Sequence, residues 1–218
     1  MPERARPIRT AVPAALVAAG LLLTACGTTP PPAAPAAPAA PEKTAATAAP
    51  EKTAVKAAAT LGGPGSACAL PVSFGLAEGW KPEAIDDPEN PEFAALTRQG
   101  PAVVRCEVDA KPTGNIGYLR VWTVAESPAR AALEGFVTAA DKPSAVTYRE
   151  TEAGTLPATE VTYTTHSEFT DETKEERAFA VSTPKGTVVI VHLGGLDTDE
   201  HRAMLPAYEL AKSTTKAL

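Results

Sequence analysis

The sequence predicts an α+β domain over residues 67–218: an antiparallel sheet of about six or seven strands with two main helices packed on it. Three observations carry this. Short β-rich runs recur in pairs around turn clusters, residues 102–108 with 116–124 and residues 177–183 with 187–193. Two stretches, one after Ser127 and one from Asp197 to the end, place apolar residues at helical spacing. The 152 positions from 67 to 218 are a normal single-domain length, enough for one core.

In chain order, residues 72–74 read as a first strand, and Gly79-Trp80 before Pro82 as a turn. Residues 81–90 are acidic and broken by prolines, and residues 91–99 suit a short helix. The strand at 102–108 turns at Lys111-Pro112-Thr113-Gly114-Asn115 into the strand at 116–124, which puts Tyr118, Arg120 and Trp122 on one face. Ser127-Pro128 marks a helix start, Ser as the cap and Pro in the first turn, with Leu133, Phe136 and Val137 on its apolar side. Strands follow at 145–151 and 156–164, and residues 166–176 read as a polar hairpin loop. The run Val188-Val189-Ile190-Val191 is the most apolar strand and so the central one. The closing helix spans 197–217. Asp197 and Glu200 stand at capping-box spacing, Asp199 suits the first turn, and Pro206 is a point for a kink.

Ahead of the domain the chain reads differently. Arg4, Arg6 and Arg9 precede an apolar run from 11 to 25, the make-up of a secretory signal peptide over residues 1–25. The run is shorter than the ~20 apolar residues that a spanning helix needs. It ends in Leu23-Thr24-Ala25-Cys26, which resembles a bacterial lipobox. That resemblance implies diacylation (palmitate-like chains) of Cys26. Two acyl chains, each contributing roughly 0.8 kcal/mol per buried CH₂, would hold a secreted protein on the outer face of the cytoplasmic membrane. Residues 26–66 read as the lipidated cysteine followed by a disordered Ala/Pro/Thr tether, because 27–66 contains no aromatic residue and too little apolar surface to offset ordering entropy. Its Ala-rich part at 53–61 favours transient helix. Proline keeps such a spacer extended, which suits reach into the cell wall.

With Cys26 assigned, Cys68 and Cys106 are an even pair within an exported domain, and they are expected to form a disulfide. The domain carries 14 Lys and Arg against 23 Asp and Glu, a net charge of −9, which argues against nucleic acid as a partner. No nucleophile elbow, phosphate-binding glycine loop or zinc-helix motif is present. His192 and His201 with Asp197 and Asp199 could be imagined as a metal or hydrolytic site, but both acids already have capping work. The expectation is no enzyme, no metal and no cofactor. Phe74, Trp80, Tyr118 and Trp122 are candidates for an aromatic binding face, since the few aromatics crowd into the first half of the domain.

The lipobox, the tether, the Phe74-Gly75-Leu76-x-x-Gly79-Trp80 start, the Gly186-Thr187-Val188-Val189-Ile190-Val191 strand and the final helix together resemble actinobacterial LpqN-type lipoproteins. Those are similar in turn to the PsbP-like α/β/α sandwich. The resemblance spans about residues 70–218 and implies a non-enzymatic binding or accessory role in the cell envelope, with an envelope protein or lipid as partner. Alternatives are a carrier of a small apolar or lipid ligand and, last, a hydrolase using His192 or His201.

Overall fold

The computed structural model describes residues 55–168 and 170–218. The expected signal peptide (1–25), Cys26 and residues 27–54 of the expected tether lie outside the described residues. In order come β1 (Ala57–Leu61), β2 (Val72–Ala77), β3 (Lys81–Ala84), a 3-10 turn (Pro91–Thr97), β4 (Arg98–Gln99) and β5 (Ala102–Asp109). After a short 3-10 turn (Lys111–Thr113) follow β6 (Gly117–Ala125), α1 (Ala129–Thr138), β7 (Ser144–Ala153), β8 (Leu156–Ser167) and β9 (Glu172–Ser182). The chain closes with β10 (Thr187–Gly195), α2 (Thr198–Thr214) and β11 (Lys216–Ala217).

The main sheet runs β3-β5-β6-β10-β9-β8-β7, with β4 paired to the start of β5, and its strand pairs are antiparallel. A second sheet, β1-β2-β11, was not expected. The α+β class and the seven-strand antiparallel ladder agree with the sequence reading. β10 is central because its residues 188–195 are buried on both faces, as a run of four β-branched residues demands. The face on the α1 side buries Trp122, Phe136, Val161 and Ile190; the opposite face packs Phe179, Val191 and Leu193 against Met204 and Tyr208 of α2 and Val72 and Phe74 of β2. The result is a helix on one side of the sheet, and a helix with a small sheet on the other.

Several local expectations are corrected. The assigned tether, residues 26–66, reaches too far, since β1 lies within it and Leu61 is buried. That segment is strand and not helix, because β2 offers its backbone an antiparallel ladder. The polar loop at 166–176 shrinks to the tip of a longer hairpin: β8 and β9 pair out to Ser167 and Glu172. The cap of α1 is Pro128 in extended conformation, with no side-chain capping bond, and Ser127 Oγ donates to the Pro128 carbonyl instead. At α2 the cap is as read, Asp197 accepting from Glu200 N–H at 2.8 Å. The reciprocal half is absent: Glu200 Oε2 accepts from the N–H of Ile116 at 3.1 Å and pins the β6 entrance to the helix. Pro82 fits β3 because β3 is an edge strand.

His201, on α2, is 2% exposed, and burial pulls its imidazolium down to a pKa of about 4. The folded state thus resists a proton that the unfolded chain accepts near pH 6.5. Stability is expected to fall as pH drops from 6.5 toward 4, at up to 1.36 kcal/mol per pH unit. His201→Leu should remove about 2 kcal/mol of the difference between the unfolding free energies measured in urea at pH 6.5 and 4.5. An unchanged difference would assign the acid sensitivity elsewhere.

Candidate functional site

α1 has 10 residues, while β8 and β9 have 12 and 11, so the helix covers only part of the sheet. Beyond its C-terminal end the same face continues uncovered, and the side chains there change from apolar to polar and aromatic. Alternation along β8, β9, β10 and β6 brings Tyr163 and Thr165, Lys174 and Glu176, His192, and Tyr118 and Arg120 to this face. All of these but Arg120 line an open depression of about 410 Å³ walled by Ala139, Ala140 and Asp141 after α1 and by Leu196 after β10.

Glu176 is the centre of the floor and is 5% exposed. Its Oε2 lies 2.9 Å from His192 Nε2, and its Oε1 lies 3.2 Å from Lys174 Nζ and accepts from Thr165 Oγ1 at 3.4 Å. Burial pushes the Glu176 carboxyl up, but the His192 bond and charge, with Lys174, pull it net below the usual carboxylate range. Lys174 also donates to the Gly195 carbonyl at 2.8 Å. The Tyr163 hydroxyl lies 3.4 Å from His192 Nε2; burial, then the Glu176 charge, raises its pKa, so it stays a neutral phenol.

Tyr118 lies over Gly194, where an added Cβ would come within 2.7 Å of the ring. The Arg120 guanidinium sits 3.9 Å from the Tyr118 ring centre and reaches Glu107 Oε2 at 2.6 Å. Burial raises the Tyr118 pKa against the opposing pull of Arg120. A second depression of about 370 Å³ shares Tyr118, Lys174 and Leu196 with the first and continues past Arg120 to Ile116 and Lys111. Leu196 and Ile116 stand exposed where the two meet. The arrangement can present hydroxyls, a guanidinium, an ammonium and a carboxylate to a polar surface. His192 Nε2 is shared between Glu176 and the Tyr163 hydroxyl and its Nδ1 is buried, while at the rim His166 Nδ1 lies 3.2 Å from the Thr173 hydroxyl.

Of the four aromatics proposed as a face, only Tyr118 lines this depression. Trp122 is buried in the α1-side core, and Phe74 and Trp80 are buried on the α2 side, so the four do not form one surface. Cys68 and Cys106 are disulfide-bonded, with Cα atoms 5.9 Å apart, inside the α2-side core. His192 belongs to the depression, whereas His201 lies on α2. Asp197 caps that helix, and Asp199 is exposed 3.9 Å from Arg202. Among the described residues no group of three or more His, Cys, Asp or Glu is placed to hold a metal ion. His166 sits at the rim, 3.5 Å from Asp171. Sequence reasoning missed Tyr163, Thr165, Lys174 and Glu176. For Lys174 and Glu176 the signal was the period-2 series Glu172-x-Lys174-x-Glu176-x-Ala178-x-Ala180, whose first half is polar and so reads as loop.

Among the described residues no helix is long and apolar enough to cross a membrane. No curated protein matches the chain. Among solved structures it is similar to cyanobacterial PsbP (CyanoP) from Synechocystis sp. PCC 6803, with a TM-score of 0.47 and 11% identity, over 68% of this chain and 87% of that one. It is also similar to LpqN of Mycobacterium tuberculosis, described as involved in cell envelope biogenesis, with a TM-score of 0.45 and 12% identity, over 72% of this chain and 88% of that one. A family model described as "uncharacterised lipoprotein" matches residues 38–215, most of the chain, and the chain therefore belongs to that lipoprotein family.

Proposed function

We propose that the protein is a non-enzymatic binding or accessory domain of an actinobacterial-type cell envelope, held by lipid on Cys26 at the outer face of the cytoplasmic membrane and extending toward the wall. The uncovered half of the α1 face is its binding surface. The observation that carries this reading is the depression beyond α1, in whose floor Glu176 is paired with His192 and Lys174 while Tyr118 and Tyr163 line it. Such a surface suits recognition, with its central imidazole, His192, taken up by Glu176 and the Tyr163 hydroxyl. A polar or amphipathic partner fits it better than a purely apolar ligand, because the apolar space beneath α2 is filled by Phe179, Met204 and Tyr208.

Native mass spectrometry of the lipoprotein, isolated from its own host in mild detergent, tests the surface. A discrete non-covalent adduct is expected, and it should be lost in Tyr118→Ala/Lys174→Ala. An adduct that survives the double substitution, or no adduct in either protein, overturns the assignment. The anchor is tested separately. Cys26→Ser is expected to shift the protein out of the membrane fraction or to leave the precursor uncleaved, whereas a mature, membrane-bound variant would contradict lipidation.

A further inference from the structure

We propose that β1 is a detachable strap, a reserve length of tether folded onto the domain, and that the Cys68–Cys106 disulfide is the stop that ends its release. The proposal rests on the anchored reading above.

β1 is an unusual strand. Its sequence is Ala57-Ala58-Ala59-Thr60-Leu61, and alanine is poor in strands and good in helices. Side chains 57–60 are exposed, so Leu61 alone enters the core. What holds β1 is an antiparallel ladder to β2, from Ala57 opposite Ala77 to Leu61 opposite Phe74, and that ladder is already irregular between Ala57 and Ala59. Local preference and tertiary placement therefore conflict, which marks a segment of low local stability.

The chain around β1 suits release. The tether leads into it, and after it comes Gly62-Gly63-Pro64-Gly65-Ser66, a turn closed by the Ser66 hydroxyl, which accepts from Gly62 N–H and donates to the Gly63 carbonyl. The next fixed point is Cys68, bonded to Cys106 in the middle of β5, where both cysteines are buried. Tension entering from the membrane side can lift β1 and open the glycine turn, but it then meets a covalent bond to a strand of the main sheet. Residues 69–105, which include β2, lie inside the disulfide loop and carry no load while the bond is intact. Releasing residues 57–67 frees a segment whose extended contour is about 40 Å, at ~3.3–3.6 Å per residue.

Hydrogen exchange with mass spectrometry on the intact lipoprotein in detergent tests this. Amides of β1 are expected to exchange at least about 100-fold faster than those of β6, β9 and β10. Ala59→Val, which raises strand propensity at an exposed position, should slow β1 without altering the main sheet. Reduction of the disulfide should spread fast exchange from the strap into residues 69–77. Protection of β1 equal to that of the main sheet overturns the strap, and unchanged protection of 69–77 after reduction overturns the stop. Neither readout depends on whether Cys26 is lipidated, so a failed anchor experiment and a failed strap experiment remain distinct.

Discussion

Replacing Cys68 and Cys106 together with Ala is expected to cost about 4 kcal/mol of folding stability, the chain-entropy value for closing a loop of this length. The two cysteines are 38 residues apart and span β2, β3, β4 and the start of β5, so the bond links the small sheet to the main one. Without it, β2 retains its ladders to β1 and β11, of which β1 has little side-chain burial and β11 is two residues long. The loss should therefore concentrate in the N-terminal third of the domain. Urea unfolding of the double variant checks the magnitude, and oxidised protein given reductant should approach the same midpoint. A midpoint within about 1 kcal/mol of the parent would show that core packing alone holds the first segment in place.

The second large effect lies on the opposite side of the sheet from the depression. Glu160 is 2% exposed, and its Oε1 is 3.0 Å from Lys212 Nζ and accepts from the Tyr208 hydroxyl at 3.0 Å. Arg149 reaches the other oxygen from the surface. Burial pushes this carboxyl up, but the bonds to Arg149 and Lys212 outweigh it and leave the pKa lowered. Its contribution is thus present above pH ~4.5 and is lost as pH falls through the depressed value. Glu160→Gln is expected to cost about 3–5 kcal/mol, because it strands the buried Lys212 ammonium without a counter-charge. Replacing both partners, Glu160→Leu with Lys212→Met, should cost less than half of that, since no buried charge is left alone. Arg149→Ala should cost under about 1 kcal/mol, because Arg149 is largely exposed and Lys212 still neutralises the site. Unfolding curves for the three variants decide it, and equal losses in the first two would refute the stranded-charge account.

The sequence was legible wherever apolar period and turn chemistry coincide. The β5–β6 and β9–β10 hairpins and both helices stand where alternation, Pro/Gly clusters and a capping Asp put them. It was illegible where the same periods are written in polar or small residues. The outer halves of β8 and β9 are strand because each supplies the other's backbone partners, and hydropathy carries no trace of that. The site suffered for the same reason. Tyr118 and His192 could be noticed singly, but that His192 meets Glu176 and Tyr163, while Trp122 turns into the core, depends on where α1 stops along the sheet.

Residue chemistry by itself determined the pairing of Cys68 with Cys106 once Cys26 is set aside, the α+β class and the excess of acidic residues. Each is read from composition, residue counts or local periodicity, and the disulfide pairing follows by count although its cysteines are 38 residues apart. Tertiary structure decided that Ala57–Leu61 is strand, that Glu160 and Lys212 are buried together, and that the polar half of the sheet is left open. Each of these rests on partners distant in the chain. There, desolvation and backbone hydrogen bonding outweigh local propensities worth only a few tenths of a kcal/mol per residue.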